Sequence, residues 1–287
     1  AYDCVKVLVT GATGFVGRHV VAQLLARGHQ VIAVARDEAR ARNFAWYERV
    51  RFIVSDIHGP IEDAFERFDR PQAVMHLAWP GLPNYAALYH YETTLPADYR
   101  FLRSLVQGGL GHLLVSGTCV EYGMQGGSLA EDMPAAPLAS PYAKAKDALR
   151  KKLQVLQGQH PFKLQWARLF YMYGEGQNPN SLLAQLDRAI DGGETTFNMS
   201  GGEQLRDYLP VEQVAAHCVT LLEHPGCSGV FNIFSGEPIS VRALAERHLA
   251  RRGAGIRLNL GHYPYASDEP MAFWGDPGRL KAVLQSI

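Results

Sequence analysis

Val5-Lys6-Val7-Leu8-Val9-Thr10-Gly11-Ala12-Thr13-Gly14-Phe15-Val16-Gly17 is the stretch whose reading decides the fold. A short run rich in β-branched residues stops at Thr10-Gly11. From Val16 to Ala26 apolar residues return at helical spacing, and Gly28 closes the segment. A strand therefore feeds a helix across Gly11, Gly14 and Gly17. Residues without Cβ permit a tight turn and a close approach of backbone to a pyrophosphate, and a helix N-terminus presents oriented N–H donors. The flanking strand and helix turn a weak glycine pattern into a specific one.

Working outward, Gln30 to Ala35 is nearly continuous in apolar character, as buried parallel strands are. Further strands are predicted at Arg51 to Val54, Ala73 to Leu77, Leu113 to Val115, Leu164 to Leu169 and Val230 to Ile233. Helical stretches near 60–69, 85–107 and 141–157 separate most of the earlier ones. Parallel neighbours need crossover helices, so the alternation predicts an α/β, doubly wound parallel sheet. After Phe170 the rhythm breaks at a loop rich in Gly, Asn and Pro, and shorter segments follow. The expected organisation is a dinucleotide-binding domain over 1–170, with 205–233 returning to it. A smaller substrate-binding lid is expected from 171–204 and 234–287.

The bulk properties exclude several classes. The 287 residues carry 28 basic and 28 acidic side chains, mixed along the chain, so no electrostatic footprint for nucleic acid or an anionic membrane is present. The four cysteines have neither metal-ligand spacing nor the density of a disulfide framework, so no metal site is expected. No charged-then-apolar segment opens the chain, and no apolar run approaches the ~20 residues that span a bilayer. A cytoplasmic protein with no membrane partner is expected.

Which dinucleotide binds is decided after the second strand, in Val34-Ala35-Arg36-Asp37. An acidic side chain there hydrogen-bonds the ribose hydroxyls of NAD, whereas an Arg accommodates the 2′-phosphate of NADP. Arg36 occupies the position and favours NADP, with Arg40 or Arg42 as a second contact; Asp37 serves NAD if the register slips by one. Further along, Tyr142-Ala143-Lys144-Ala145-Lys146 places Tyr142 and Lys146 four residues apart, on one helical face. An ammonium beside a phenol lowers its pKa from ~10 towards working pH, making Tyr142 an acid for a carbonyl or a base for an alcohol.

Together these motifs resemble the extended short-chain dehydrogenases/reductases, the NAD-dependent epimerase/dehydratase family. The resemblance rests on Gly11-x-x-Gly14-Phe15-Val16-Gly17, on Asp56-Ile57 after the third strand and on His76-Leu77-Ala78 ending the fourth. It continues through Ser116-Gly117-Thr118, Tyr122-Gly123 and the Tyr142/Lys146 pair. It implies a Rossmann-type sheet and a homodimer through the helices near 85–107 and 141–157. Cofactor contacts are implied at Gly11, Thr13, Gly14, Phe15, Val16, Arg36, Asp56, Ile57, Leu77, Ala78, Tyr142 and Lys146. Thr118, Tyr142 and Lys146 are implied as the catalytic set, with Thr118 polarising a substrate carbonyl and Ser116 the alternative.

Arg168-Leu169-Phe170-Tyr171-Met172-Tyr173-Gly174 looks like the family's R-x-x-N-x-Y-G stretch with Tyr171 replacing Asn. Gly202-Glu203-Gln204-Leu205-Arg206-Asp207-Tyr208 resembles a segment of enzymes acting on nucleotide-diphosphate sugars, where the Arg binds the diphosphate. That implies substrate contacts at Thr118, Tyr171 and Arg206. Phe231-Asn232-Ile233 matches a late strand, while Thr94 stands where the family often has an Asn. Cys119-Val120 follows Thr118 where 4,6-dehydratases carry Asp-Glu, so dehydration lacks its acid and base. Cys119 is either a base of a combined epimerase/reductase or a small apolar filler.

The segment Asp268 to Asp276 resembles reductases of dTDP-4-keto-6-deoxyhexoses. The expectation is NAD(P)H-dependent reduction of the C-4 ketone of such a sugar. The alternatives are an NAD-dependent 4-epimerase and, from another class, a non-catalytic nucleotide-binding sensor or scaffold.

Overall fold

In a computed structural model that describes residues 2–287, the apolar runs pair as one seven-stranded parallel sheet. Ala1, the first residue of the predicted 1–170 unit, lies outside the described residues. The strands are β1 (Lys6–Thr10), β2 (Gln30–Ala35), β3 (Arg51–Val54), β4 (Ala73–His76), β5 (His112–Thr118), β6 (Lys163–Leu169) and β7 (Gly229–Ile233). Their order across the sheet is β3-β2-β1-β4-β5-β6-β7. Val7 stands between Val31 on one side and Ala73 on the other, which fixes the central register.

Alternation along β1 separates two cores. Val7 and Val9 face Val20, Val21 and Leu24 of α1 (Phe15–Ala26). Leu8 faces the opposite core, with Leu102 and Leu105 of α2 (Leu95–Gly108) and Leu149 and Leu153 of α3 (Pro141–Gln157). Each such side chain, removed from water, contributes ~1.5–3 kcal/mol. A one-residue slip of β1 would exchange the two cores, so the register is strongly specified. Helices on both faces make the sheet doubly wound, as predicted. The strand order reverses between β1 and β4, and a cleft opens at their C-terminal ends, where such sheets bind ligands.

A third core lies apart from the sheet. Leu183 and Leu186 of α4 (Leu182–Asp191) pack with Phe197, Met199 and, from the late helix α6 (Val241–Arg252), Leu244 and Leu249. Between them in sequence, α5 (Val211–Leu222) lies against α1 on the sheet, burying Val214, Ala215 and Cys218. The segment 234–287 is divided by this packing. Residues 241–258 join the third core, but Phe273, Leu280 and Val283 belong to the first sheet core. Phe273–Gly275 pairs with Gly127–Leu129, which ties the tail to the loop after β5.

Two predicted helices are shorter than their apolar spacing suggests. The stretch near 60–69 contracts to Ala64–Arg67 because Asp63, Asp69 and Arg70 adopt positive φ. The long helix near 85–107 starts later. Pro80 and Pro83 lack an N–H, Gly81 adopts φ +85°, and the chain runs as a loop before a wide turn over His90–Thr94 leads into α2. Among the described residues no helix is long and apolar enough to cross a membrane.

Candidate active site

The cleft at the sheet's switch point is a cavity of about 850 Å³. The glycine turn forms one wall. Gly11 adopts φ +65°, and a Cβ there would stand 2.9 Å from the Ala78 nitrogen; a Cβ on Gly17 would overlap the Gly11 carbonyl oxygen. Both positions therefore require glycine. Gly14 caps α1 without a side chain, and the first turn carries no acid, so the helix N-terminus offers its N–H donors to an anion. Arg18 braces the turn from behind, donating to the carbonyls of Gly14 (3.0 Å) and Thr13 (3.3 Å).

The expected cofactor contacts line this cavity together. Gly11, Thr13, Gly14, Phe15 and Val16 come from the turn, Arg36 from the end of β2, Asp56 and Ile57 from the end of β3, and Leu77 and Ala78 from the end of β4. Tyr142 and Lys146 line it from α3. Asp37 does not: its carboxylate accepts the Arg40 N–H at 3.1 Å and caps the short helix Glu38–Ala41. The register that would give Asp37 to a ribose is thus used locally, while exposed Arg36 and Arg40 both reach the cavity. Beneath the floor, the Thr10 hydroxyl accepts the N–H groups of Leu77 (3.0 Å) and Ala78 (3.2 Å). That leaves its own proton for His76 Nδ1 at 2.7 Å, and His76 Nε2 donates to Asp98. Asp98, fully buried in α2, also receives His58 Nε2 at 2.7 Å. Burial opposes its ionisation, yet His76, His58 and Lys146 hold it well below the usual carboxylate range. The uncapped helix end, the glycine backbone and the two free guanidinium groups fit a dinucleotide.

Thr118, Tyr142 and Lys146 converge on the same cavity. Thr118 ends β5, and its hydroxyl accepts the Val120 N–H while Glu121 accepts the Thr118 N–H at 2.6 Å, a reciprocal cap. Ser116, the alternative to Thr118, directs its hydroxyl to the His76 carbonyl and its own carbonyl to Lys146. Lys146 is 2% exposed and donates to Ser116 O at 2.7 Å. Burial pulls its pKa down to about 8 against the pull of Asp98 and Glu121.

The expected lowering of the Tyr142 phenol is corrected by this geometry. Lys146 turns its ammonium to the Ser116 carbonyl and the Trp79 ring, and burial, followed by Tyr85, Glu121 and Cys119, pushes the phenol well above its ordinary value. Ionisation of Tyr142 is thus disfavoured in this setting. Cys119 also lines the cavity, and burial pushes its thiol up to about 12, which opposes a thiolate base there.

Tyr171 lines the cavity, but Arg206 does not. The Arg206 guanidinium is 3% exposed behind the wall, 4.4 Å from the Phe273 ring centroid. It donates to the carbonyls of Leu205 (2.8 Å) and Met271 (3.3 Å) and to Glu269 (3.3 Å), whose carboxylate stands at the cavity edge. The neighbouring Asp207 is a clamp: it accepts the N–H and hydroxyl of Ser235 and the N–H groups of Gly236 and Gly275. Thr94 is buried at the start of α2 and is absent from the cavity lining, so no side-chain amide supports Tyr142 from there.

Sequence reasoning missed Glu121, which is buried and accepts from Thr118 N, Trp166 Nε1 (3.0 Å) and Arg168 Nε (3.1 Å). The Thr118-x-x-Glu121 spacing of a capping box was the signal that marked it. Arg168 also stacks on Tyr122, whose hydroxyl donates to Asn232, so three family-like motif residues brace the turn after Thr118.

Known proteins bear directly on this arrangement. The sequence profile of the NAD dependent epimerase/dehydratase family matches residues 7–233. The dTDP-6-deoxy-L-talose 4-dehydrogenase (NAD(+)) of Aggregatibacter actinomycetemcomitans is 29% identical over 272 residues, covering 94% of this chain and 99% of that one. A UDP-glucose 4-epimerase of Neisseria meningitidis serogroup A is 25% identical over 318 residues, covering 97% and 91%. The solved structure of MoeE5 in complex with UDP-glucose and NAD superposes with a TM-score of 0.81 at 26% identity, covering 98% of this chain and 92% of that chain.

Proposed function

The chain belongs to the NAD dependent epimerase/dehydratase family, and from that premise we propose that it reduces the C-4 ketone of a nucleotide-activated 4-keto-6-deoxyhexose. The substrate is dTDP-linked, and the product is a dTDP-6-deoxyhexose such as 6-deoxytalose or fucose. The observation that carries this reading is the convergence of Thr118, Tyr142 and Lys146 on the cleft of the glycine turn, with the one carboxylate beside Thr118, Glu121, buried and engaged by Trp166 and Arg168. Similarity to an enzyme named for oxidation at C-4 of a dTDP-6-deoxyhexose supports the same reaction centre, run in reverse.

When bound, the nicotinamide supplies the hydride to C-4. Thr118 holds the carbonyl oxygen, and Tyr142 donates its phenolic proton to that oxygen as negative charge develops. Lys146 anchors the nicotinamide ribose and keeps a positive charge near the resulting tyrosinate. Arg206 reaches the substrate diphosphate by exchanging Glu269 for it, a charge-assisted pair replacing another. Arg36 and Arg40 favour NADP(H) over NAD(H), because a 2′-phosphate finds two unpaired guanidinium groups and Asp37 is already engaged. The substrate lid is formed by 171–204 and 234–287, of which Tyr171, Met172, Gly176, Asn178, Asp268, Glu269, Pro270 and Phe273 line the cavity. A homodimer is expected through the outer faces of α2 and α3, where Val155 is 68% exposed.

A 4-epimerase is the second reading, favoured by the similarity to UDP-glucose 4-epimerases. The test is a panel of dTDP-, GDP-, CDP- and UDP-4-keto sugars with NADPH or NADH, followed by nicotinamide absorbance. The dTDP-linked substrate should be turned over, and Tyr142→Phe should lose ~10²-fold or more in kcat while cofactor affinity stays within threefold. Interconversion of a UDP-hexose with its 4-epimer, without oxidation of cofactor by any keto sugar, would favour the second reading instead.

A further inference from the structure

The loop between β4 and α2 packs against both Tyr142 and Lys146. Trp79 lines the cavity, with Lys146 Nζ 4.5 Å from its ring centroid. The Tyr142 ring meets Trp79 edge-on at 5.9 Å, His90 edge-on at 5.4 Å and Tyr85 at 5.3 Å. The Tyr142 backbone N–H donates to the Tyr85 carbonyl at 3.3 Å, so the same loop also holds the start of α3.

Trp79 is itself held. Its indole N–H donates to His90 Nδ1 at 2.9 Å, and His90 Nε2 donates to the Asn84 carbonyl at 2.6 Å. His90 is fully buried, and both its ring nitrogens are used, which fixes one tautomer and one ring orientation. A buried polar ring with both nitrogens engaged is a rigid support, and its neighbour takes its orientation from it. The wide turn over His90–Thr94 presents this imidazole to Trp79 and Tyr142.

We propose that Trp79, clamped by His90, is a positioning residue of the reaction: its indole face fixes the Lys146 ammonium in the cavity, one helical turn from Tyr142, while its ring packs edge-on against the Tyr142 ring. The reaction meant is the carbonyl reduction proposed above, and the inference rests on that reading. An aromatic face attracts an ammonium most strongly when the pair is desolvated, as it is here. The Ser116 carbonyl fixes Lys146 from one direction and the indole from another, leaving the ammonium little freedom to move. The charged groups around it are Asp98 of α2 and Glu121 of the turn after β5. Neither replaces the indole, since Asp98 is engaged by two histidines and Glu121 by Trp166 and Arg168.

The test uses Trp79→Leu, Trp79→Phe, His90→Leu and His90→Gln in the full chain. Trp79→Leu should lower kcat about 10- to 30-fold with the sugar KM within threefold, and Trp79→Phe, which keeps a ring face, should lose less. His90→Leu should reproduce most of the loss. His90→Gln, whose amide can accept from Trp79 and donate to Asn84, should restore kcat to within threefold of the parent.

A readout without substrate or cofactor separates this inference from the proposed reaction. Subtracting the Trp79→Phe fluorescence from that of the parent isolates Trp79, and this difference should change as Lys146 loses its proton near pH 8 and vanish as a transition in Lys146→Met. If no keto sugar is reduced but the fluorescence transition is present, the reaction is wrong and the contact stands. A pH-independent difference spectrum, an unchanged kcat in Trp79→Leu, or equal losses in His90→Gln and His90→Leu would overturn the positioning role. Should Trp79→Leu fail to fold, the two His90 variants and the Trp79→Phe titration decide it.

Discussion

Replacing Asp207 by Asn asks whether this carboxylate is a structural clamp or part of a ligand site. Its side chain is fully buried, with Oδ1 accepting from Ser235 N–H (2.6 Å) and Ser235 Oγ (2.6 Å). Oδ2 accepts from Gly236 N–H (3.1 Å) and Gly275 N–H (3.2 Å). The amide keeps one acceptor oxygen, so two of the four donors face an NH₂ group and lose their partner. Hydrogen bonds to a charged group contribute ~1.5–3 kcal/mol each, which puts the loss at roughly 3–6 kcal/mol. Domains are typically stable by only about 5–15 kcal/mol, so this is a large fraction. At ~2–4 °C per kcal/mol for a chain of this order of size, the thermal midpoint should fall by about 6–24 °C. Thermal unfolding by circular dichroism, with Asp268→Asn as an exposed control on the cavity edge, provides the assay. A midpoint within about 2 °C of the parent would refute the clamp, whereas weaker substrate binding in a fully stable Asp207→Asn protein would place the residue in the site.

The remaining predictions concern charge. Lys146 has its pKa lowered by burial to about 8, so kcat/KM should fall above about pH 8 as the ammonium is lost, and Lys146→Met should remove that limb of the profile. Burial raises Glu131 to about 7, against the attraction of Arg279; the folded protein therefore binds more protons than the unfolded chain between about pH 4.5 and 7. Stability at this group falls as pH rises through that window, and Glu131→Gln should raise the thermal midpoint at pH 8 while leaving it little changed at pH 4.5; equal shifts at both would contradict this. Arg36→Gln should lower the NADPH-to-NADH ratio of kcat/KM about tenfold, read from steady-state rates with each cofactor, and an unchanged ratio would show that Arg36 does not meet a 2′-phosphate.

The sheet was legible because buried parallel strands write themselves as continuous apolar runs; β2 and β3 fall at their predicted bounds. The glycine turn was legible for a steric reason, since Gly11 and Gly17 sit where a Cβ meets backbone. What escaped depends on contacts between distant segments. The spacing of Tyr85, Leu88 and Tyr89 reads as helix, yet Gly81 at positive φ and two prolines keep the chain a loop, and Trp79 and His90 meet only once that loop folds over α3. Tyr142 and Lys146 share a helical face as spacing required, but their electrostatics follow from burial and the Ser116 carbonyl, neither written locally. Arg206 and Asp207 were visible as a pair. That one faces Glu269 and the other ties Ser235, Gly236 and Gly275 together is a property of the assembled tail.

The fate of the transferred hydrogen tests the central claim most directly. With dTDP-4-keto-6-deoxyglucose and nicotinamide deuterated at C-4, the account predicts net oxidation of the cofactor, one equivalent per sugar, and deuterium at C-4 of a dTDP-6-deoxyhexose product; in Tyr142→Phe both should fall together. Bound cofactor that stays in one net redox state while a UDP-hexose exchanges with its 4-epimer would contradict the reductase assignment.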